Sequence, residues 1–229
     1  MRKYLLLFLM LSKLVAVAQE SQYDYVGAWY IYNGFFKFSN KFEVFLEAQS
    51  RNYEVFSNTE SIFIKPYYNY NLNENVQFGV STEFHRHIAF ATDPELKTSE
   101  KEFRTALQAI VAQPLKNVSL QHRYRYEFRN FSSVWSQRIR YRIQVTVPLN
   151  YKITPEKGSF FFNTSNELMV NANPKWEFDQ NRLFMALGFY FNPSLNFQLG
   201  YMFISREDGT DQRLQVFLTQ KLDFRKSKK

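Results

Sequence analysis

Residues 119–129 read SLQHRYRYEFR, and residues 138–145 read RIRYRIQV. In both stretches polar or charged side chains alternate with aromatic or aliphatic ones at a period of two. Successive side chains of a β-strand point to opposite faces, so each stretch predicts a strand with one charged face and one apolar face. A helix would place apolar residues three and four positions apart, and neither stretch has that spacing.

The same alternation continues in both directions, from about Tyr25 to Phe224. The runs are about 9–13 residues long, which suits a tilted strand that crosses a bilayer, whereas strands of soluble sandwiches are usually about 5–6 residues long. Short polar turns alternate with longer connections, the longest being His85–Lys101, with Ala172–Gln180 on the same side. We therefore expect an all-β fold, an antiparallel up-and-down transmembrane β-barrel.

The number of strands is harder to predict than their nature. Eleven runs can be counted, but single-chain bacterial barrels have even numbers of strands. Either Asn33-Gly34 is a hairpin turn that splits the first run, or a strand near Tyr23 precedes it, or one run lies outside the barrel. We expect about 12 strands, with 10 as the alternative.

The composition agrees with a barrel whose outside is apolar. Aromatic residues make up 19% of the chain, yet its mean hydropathy is −0.41. A membrane barrel accounts for both values, because aromatic girdles cover its outside while its interior is polar. We expect five large rings in these girdles, namely Trp29, Trp135, Trp176, Tyr126 and Tyr201.

The first residues have the pattern of a secretory signal. Arg2 and Lys3 precede an apolar run, and Ala16 and Ala18 form a small-x-small cleavage site. The run is shorter than the ~20 residues of a membrane-spanning helix, and Lys13 interrupts it. We expect a signal peptide at 1–18 and a barrel at 19–229, placed in the outer membrane of a Gram-negative cell.

Charge and cysteine content limit the partners. The formal net charge is +8 and there is no cysteine, so disulfides and thiolate metal sites are excluded. An exported chain is not expected to bind nucleic acid. The expected partners are outer-membrane lipid, the barrel-assembly machinery during biogenesis, and a small anionic solute, which a positive charge balance favours.

The charged strand faces mark the predicted lumen. Because a barrel of 10–12 strands has little internal space, we interpret these side chains mainly as ion pairs that fill the interior. An anion-attracting lumen is the alternative. The candidate cluster consists of Arg123, Arg125, Arg138, Arg140, Arg142, Arg182, Glu43, Glu47, Glu83, Glu127 and Glu167.

No catalytic constellation is visible. A barrel enzyme of the phospholipase A type needs a serine beside a histidine on the lipid-facing side of a strand, but the same-face neighbours of His122 are Leu120 and Tyr124. Glu83, His85 and His87 share a face and could hold a divalent ion, but spacing supplies no further ligand. We expect no enzymatic activity, no cofactor and no metal.

Several segments together resemble a known family. They are Arg123–Arg129, Arg138–Arg142, Asn166-Glu167, Asp179–Phe184 and Leu199–Met202. In this order they resemble the domain-of-unknown-function 2490 family of secreted bacterial proteins. The resemblance implies an outer-membrane barrel over nearly the whole mature chain and no established activity. It draws attention to five positions, Asn166, Glu167, Asp179, Asn181 and Arg182.

These expectations rank three functions. The first is a structural or narrow-pore, porin-like role with a charged and largely filled lumen. The second is a binding or assembly role in the outer membrane through the long connections. The third, which the residues favour least, is a lipid-active enzyme. At this stage Glu167 and Arg182 are interpreted as an ion pair between adjacent strands.

Overall fold

The computed structural model describes residues 26–90, 97–132, 134–151 and 154–225, so the predicted signal peptide lies outside the described residues. Over these residues the chain forms one ring of eleven strands. They are β1 (Gly27–Lys37), β2 (Phe42–Asn52), β3 (Thr59–Asn71), β4 (Val76–Ile88), β5 (Ser99–Leu115), β6 (Val118–Phe131), β7 (Trp135–Pro148), β8 (Phe160–Asn173), β9 (Glu177–Asn192), β10 (Leu195–Arg206) and β11 (Gly209–Asp223).

The barrel closes through a parallel pair. Neighbours along the chain pair antiparallel, but β1 pairs parallel with β11, from Gly27 opposite Arg213 to Lys37 opposite Asp223. With an odd number of strands the first and last run in the same direction, so a closing pair has to be parallel. The expected counts of 12 and 10 therefore differ from the eleven strands seen here, and the barrel is not antiparallel throughout.

Asn33-Gly34, considered above as a hairpin turn, lies inside β1. Both residues are paired there, to β2 and to β11. A split at this point would have left half of β1 without the partners that the barrel offers on both sides. Tyr23, where a further strand was considered, lies outside the described residues.

The connections define two ends of the barrel. The turn end carries residues 38–41, 72–75, 116–117, 149–159 and 193–194, and the loop end carries residues 53–58, 89–98, 132–134, 174–176 and 207–208. β8 and β9 reach to Asn173 and Glu177, so the expected long connection Ala172–Gln180 is in fact a short one. Likewise His85 and His87 belong to β4, and that connection is shorter than His85–Lys101.

The end of the long turn-end connection, residues 158 and 159, pairs with β9. The backbone N–H of Gly158 donates to the carbonyl of Tyr190, and the N–H of Tyr190 donates to the carbonyl of Ser159, both at 2.9 Å. These bonds continue the pairing of β8 with β9 to the two residues before Phe160.

The two faces of the wall differ in the way the alternation predicts. Outward side chains are apolar and exposed, as Ile64, Leu107, Leu187 and Leu199 illustrate, whereas inward ones are mostly charged or amide-bearing and buried. Trp29 was expected in an outer girdle, but it is buried in the lumen, while Trp135 and Trp176 are exposed. No helix within the described residues is long and apolar enough to cross a membrane.

Candidate functional site

The arginine-rich faces of β6 and β7 point into the lumen. Arg123 lies opposite Arg142, and Arg125 lies opposite Arg140, in the register of the two strands. Such like-charged neighbours repel one another unless carboxylates separate them. The lumen supplies these carboxylates from other strands.

Glu127 is the first centre of this ion-pair network. Its carboxylate lies 2.7 Å from Arg138 Nη2, 2.7 Å from Arg140 Nη1 and 3.4 Å from Arg104 Nη1. Arg125 stands 3.8 Å away. The side chain of Glu127 has no exposed surface, so three to four guanidinium groups replace the water around one buried carboxylate.

Glu167 is the second centre. It accepts hydrogen bonds from Arg123 Nη2 at 2.6 Å and from Arg140 Nη2 at 2.7 Å. Arg140 therefore bridges Glu127 and Glu167. Arg182 lies opposite Glu167 in the strand register, but no carboxylate of the described residues comes within 4.0 Å of it, so the pair expected from the sequence does not form.

Near the loop end, two further carboxylates extend the network. Glu102 accepts hydrogen bonds from Arg104, Arg129 and His87. Glu83 accepts a hydrogen bond from the Tyr67 hydroxyl at 2.6 Å and lies 2.9 Å from His85 Nε2. The connected side chains come from β3 to β9. We call this set the ion-pair plug: Tyr67, Glu83, His85, His87, Glu102, Arg104, Glu127, Arg129, Arg138, Arg140, Glu167 and Asp179.

A β-bulge adds Asp179 to the plug. The register of β8 and β9 shifts between Met169 and Val170, which leaves Asp179 as an extra residue between Phe178 and Gln180. A bulge of this kind re-aims a side chain, and Asp179 Oδ2 lies 2.8 Å from Arg138 Nη1. Two other positions of the resemblance, Asn166 and Asn181, exchange amide hydrogen bonds with each other at 2.8 and 3.1 Å.

The loop half of the lumen is filled. Glu83, Glu102 and Glu127 are at most 2% exposed, and on the opposite wall Trp29, Ile31 and Ile204 pack as an apolar cluster. Arg182 stands over the Trp29 ring at 5.0 Å, and Arg51 covers the same ring at 3.7 Å. Arg51 reaches the ring from the adjacent strand β2, and Arg182 reaches it from β9, three strands away.

The turn half of the lumen is an open cup. It has a volume of about 970 Å³ and opens between the rim residues Lys37, Glu74, Tyr151, Ser194 and Asp223. Burial at this rim raises the pKa of the Tyr151 phenol. Among the described residues, nine cationic side chains and five carboxylates line the cup: Lys37, Arg51, Lys65, Arg123, Arg125, Arg140, Arg142, Arg182 and Lys221 against Glu43, Glu47, Glu74, Glu167 and Asp223.

Two of the predicted acids face the cup and have their own partners. Glu47 lies 3.1 Å from Lys65 Nζ. Glu43 accepts a long hydrogen bond of 3.5 Å from Gln77 Nε2. Neither acid contacts the arginines of β6 and β7, so the cationic side of the cup keeps an excess of positive charge.

The residues that sequence reasoning did not select are Arg51, Lys65, Tyr67, Glu102, Arg104 and Trp29. Most fall on the same inward faces as the selected residues, and strict use of the alternation would have found Glu102 and Arg104. Trp29 could not be found this way, because β1 carries large rings on both faces. Its inward position follows from the closing register with β11.

A metal ion would find three donor groups close together. One ligand atom each of His85, His87 and Glu102 lies within 4.8 Å of the others. However, Glu102 already accepts hydrogen bonds from two guanidinium groups, and their positive charge opposes a cation there. The donor set is therefore better explained as part of the plug.

His122, the histidine considered for catalysis, points away from the lumen. Its Nδ1 lies 2.8 Å from the hydroxyl of Tyr141 on β7, and the two rings stack. A nucleophilic mechanism needs a serine in hydrogen-bond contact with the base, and here a phenol takes that place.

Comparison with known proteins gives a family but no relative of known activity. No curated protein matches the chain. The family model described as "Protein of unknown function (DUF2490)" matches residues 26–215, which includes β1 to β10 and the first part of β11. The chain therefore belongs to the DUF2490 family of proteins of unknown function.

Proposed function

We propose that this protein is an outer-membrane β-barrel of a Gram-negative cell with a structural, non-conducting role, and that its ion-pair plug blocks flow through the lumen. The observation that carries the proposal is the inverted distribution of side chains. Apolar residues cover the outside of the wall, and buried charges fill the inside. Lipid is the solvent that matches such an outside.

The outward apolar surface is too large for an isolated soluble protein. Exposed rings and aliphatic chains occur on all eleven strands or beside them, for instance Phe78, Phe103, Tyr124, Phe191 and Leu218. Soluble monomers rarely expose continuous apolar patches beyond a few hundred Å². The secretory pattern at residues 1–18 supports export to the envelope.

The plug favours a closed lumen over a narrow pore. An ion that passed from the cup to the loop end would have to displace Arg138 and Arg140 from Glu127, all of them buried. Breaking such a buried pair leaves an uncompensated charge, which is strongly unfavourable. A partner-binding role through long connections has less support, because residues 174–176 and 207–208 join their strands closely.

Fractionation and bilayer conductance test this proposal. The protein should be recovered from outer membranes, and it should migrate differently on gels before and after heating. In a planar bilayer the wild type should be silent, whereas the triple variant Glu127→Ala, Arg138→Ala, Arg140→Ala should conduct. Recovery as a detergent-free soluble monomer, or wild-type conductance equal to that of the triple variant, would contradict it.

A further inference from the structure

We infer that the cup binds an amphiphilic anion, a molecule with one anionic head and an apolar body. The head would contact the guanidinium groups of Arg182 and Arg142, which line the cup, and the body would lie on the aromatic side chains of β1 and β11. The molecule would enter from the turn end. The inference concerns the inside of the barrel and does not rest on the membrane location.

The cationic side of the cup contains arginines whose hydrogen bonding is incomplete. The buried Nε atoms of Arg123, Arg125, Arg142 and Arg182 have no hydrogen-bond partner among the described residues. Arg123, Arg125 and Arg182 are each at most 9% exposed. Buried donors without partners are unfavourable, and an arginine fork fits a carboxylate or phosphate well.

Among these arginines, Arg182 most clearly lacks a partner for its charge. The other cup arginines of β6 and β7 contact Glu167, Glu127 or a glutamine amide. Arg182 forms no ion pair among the described residues, and its guanidinium lies over the Trp29 ring, 5.0 Å from the ring centroid. An anion in the cup would give this guanidinium the partner that Glu167 does not provide.

The opposite wall of the cup carries a group of apolar side chains among amide, hydroxyl and lysine side chains of the same strands. In a ring of eleven strands, β6 faces the seam between β11 and β1. Trp29, Ile31, Phe35 and Phe217 project from that seam into the cup, and Phe45 continues this surface, its ring centroid 4.7 Å from that of Phe35. An inorganic anion alone would leave these apolar side chains in contact with water, whereas an apolar body would cover them.

The size of the cup suits such a molecule. Small-molecule pockets have volumes of about 300–1,000 Å³ and combine an apolar lining with a few convergent polar groups, and this cup has a volume of about 970 Å³. The mouth carries amides and a hydroxyl, among them Asn71, Asn75 and Ser194, together with the charged rim residues named above. They leave the entrance polar and accessible to water.

Trp29 provides a direct test, because it lies at the base of the cup. The other two tryptophans can be removed with Trp135→Phe and Trp176→Phe, which leaves Trp29 as the single indole of the chain. In a non-ionic detergent, 2-naphthoate should change the Trp29 fluorescence saturably. Its neutral counterpart 2-naphthamide, and inorganic phosphate, should each bind at least about tenfold more weakly.

Two variants and one control separate the parts of the site. Arg182→Gln should weaken 2-naphthoate binding about tenfold or more while leaving 2-naphthamide unaffected. Phe217→Ser should weaken both compounds. Arg206→Gln, at the loop end and outside the cup, should change neither. Heat-dependent gel migration confirms that each variant has folded, and Arg182 should be dispensable for folding because it has no ion pair.

The source of the anion is distinguished by a second ligand. Dodecanoate has the same head with a flexible chain; tighter binding of dodecanoate would indicate a lipid-derived anion, and tighter binding of 2-naphthoate a compact aromatic acid. Both results support the inference. Phosphate that binds as tightly as 2-naphthoate, an amide that binds as tightly as its acid, or no saturable response to either acid in a folded protein would overturn it.

Discussion

Glu167 and Arg182 are directly opposite each other on β8 and β9, but they do not form an ion pair. The carboxylate of Glu167 is instead held by Arg123 and Arg140, which reach it from β6 and β7. Arg182 extends toward Trp29 on β1, three strands away. Arg140 is thus essential to the charge balance of the plug, whereas Arg182 is not.

This difference predicts that replacing Arg140 by methionine destabilises the protein much more than the same replacement of Arg182. Arg140→Met removes one of the two closest partners of Glu127 and one of the two of Glu167. Both buried carboxylates are then incompletely compensated, which should lower the free energy of unfolding by about 3–5 kcal/mol. Arg182→Met removes no ion pair and should change it by less than about 1 kcal/mol. Urea unfolding of the protein in lipid vesicles, followed by tryptophan fluorescence, measures both. Equal losses for the two variants would show that the plug is not organised around Arg140.

The contacts of Glu167 and Arg182 also show which features can be predicted from the sequence and which cannot. The period of two gave the strands and their inward faces, because an alternating pattern survives without knowledge of the tertiary structure. The partner of Glu167 could not be predicted in this way. Arginine side chains span the distance between strands, so the register of two strands does not decide which guanidinium reaches a carboxylate.

The strand number was missed for a different reason. Eleven runs were visible in the sequence, and the expectation of an even number overrode them. Whether the number of strands is odd or even is not a local property of any run, since it depends on how the first and last strands meet. Here the first strand, β1 from Gly27 to Lys37, pairs parallel with β11.

The glycines of the lumen wall are a second feature that needs the structure. Gly188 lies opposite Phe161, and a Cβ added to it would stand 2.1 Å from Cζ of that ring. Phe161 therefore lies flat over the glycine, beside Tyr190. The alternation predicts that Gly188 faces inward, but not that it accommodates a ring.

Gly188→Ala should consequently destabilise the barrel by about 1–3 kcal/mol, because the Phe161 ring has to move. Adding Phe161→Leu should recover most of this loss, and a double-mutant cycle on the same urea titration measures the coupling between the two positions. Additive effects would mean that the contact between the glycine and the ring is unimportant.

The parallel seam predicts a specific cross-link. The chain contains no cysteine, so Tyr32→Cys with Leu218→Cys introduces one pair at directly opposed, outward positions of β1 and β11. Oxidation should join them, since the Cα atoms of paired strands lie within the range that a disulfide spans. The matched control is Tyr32→Cys with Leu214→Cys, four residues away in the register, which should stay reduced.

The readout of the cross-link is the altered migration of unfolded protein on a non-reducing gel, reversed by a reducing agent. A barrel with an additional strand between β1 and β11 would separate the two positions by about 10 Å, two strand spacings. The first pair would then remain reduced like the control. That result would contradict the eleven-strand closure.

Leu107 tests the environment of the outer surface most directly. It lies in the middle of β5, points outward and is 51% exposed. If the surroundings are lipid, Leu107→Arg should lower the free energy of unfolding by about 2–4 kcal/mol, the cost of an arginine near the bilayer midplane. If they are water, the same change should stay within about 0.5 kcal/mol. Phe56→Arg in the loop-end connection is the matched control, because Phe56 is 90% exposed and lies outside the strands. Unfolding titrations in lipid vesicles give both values, and a Leu107→Arg effect no larger than that of the control would contradict a membrane-embedded wall at this level.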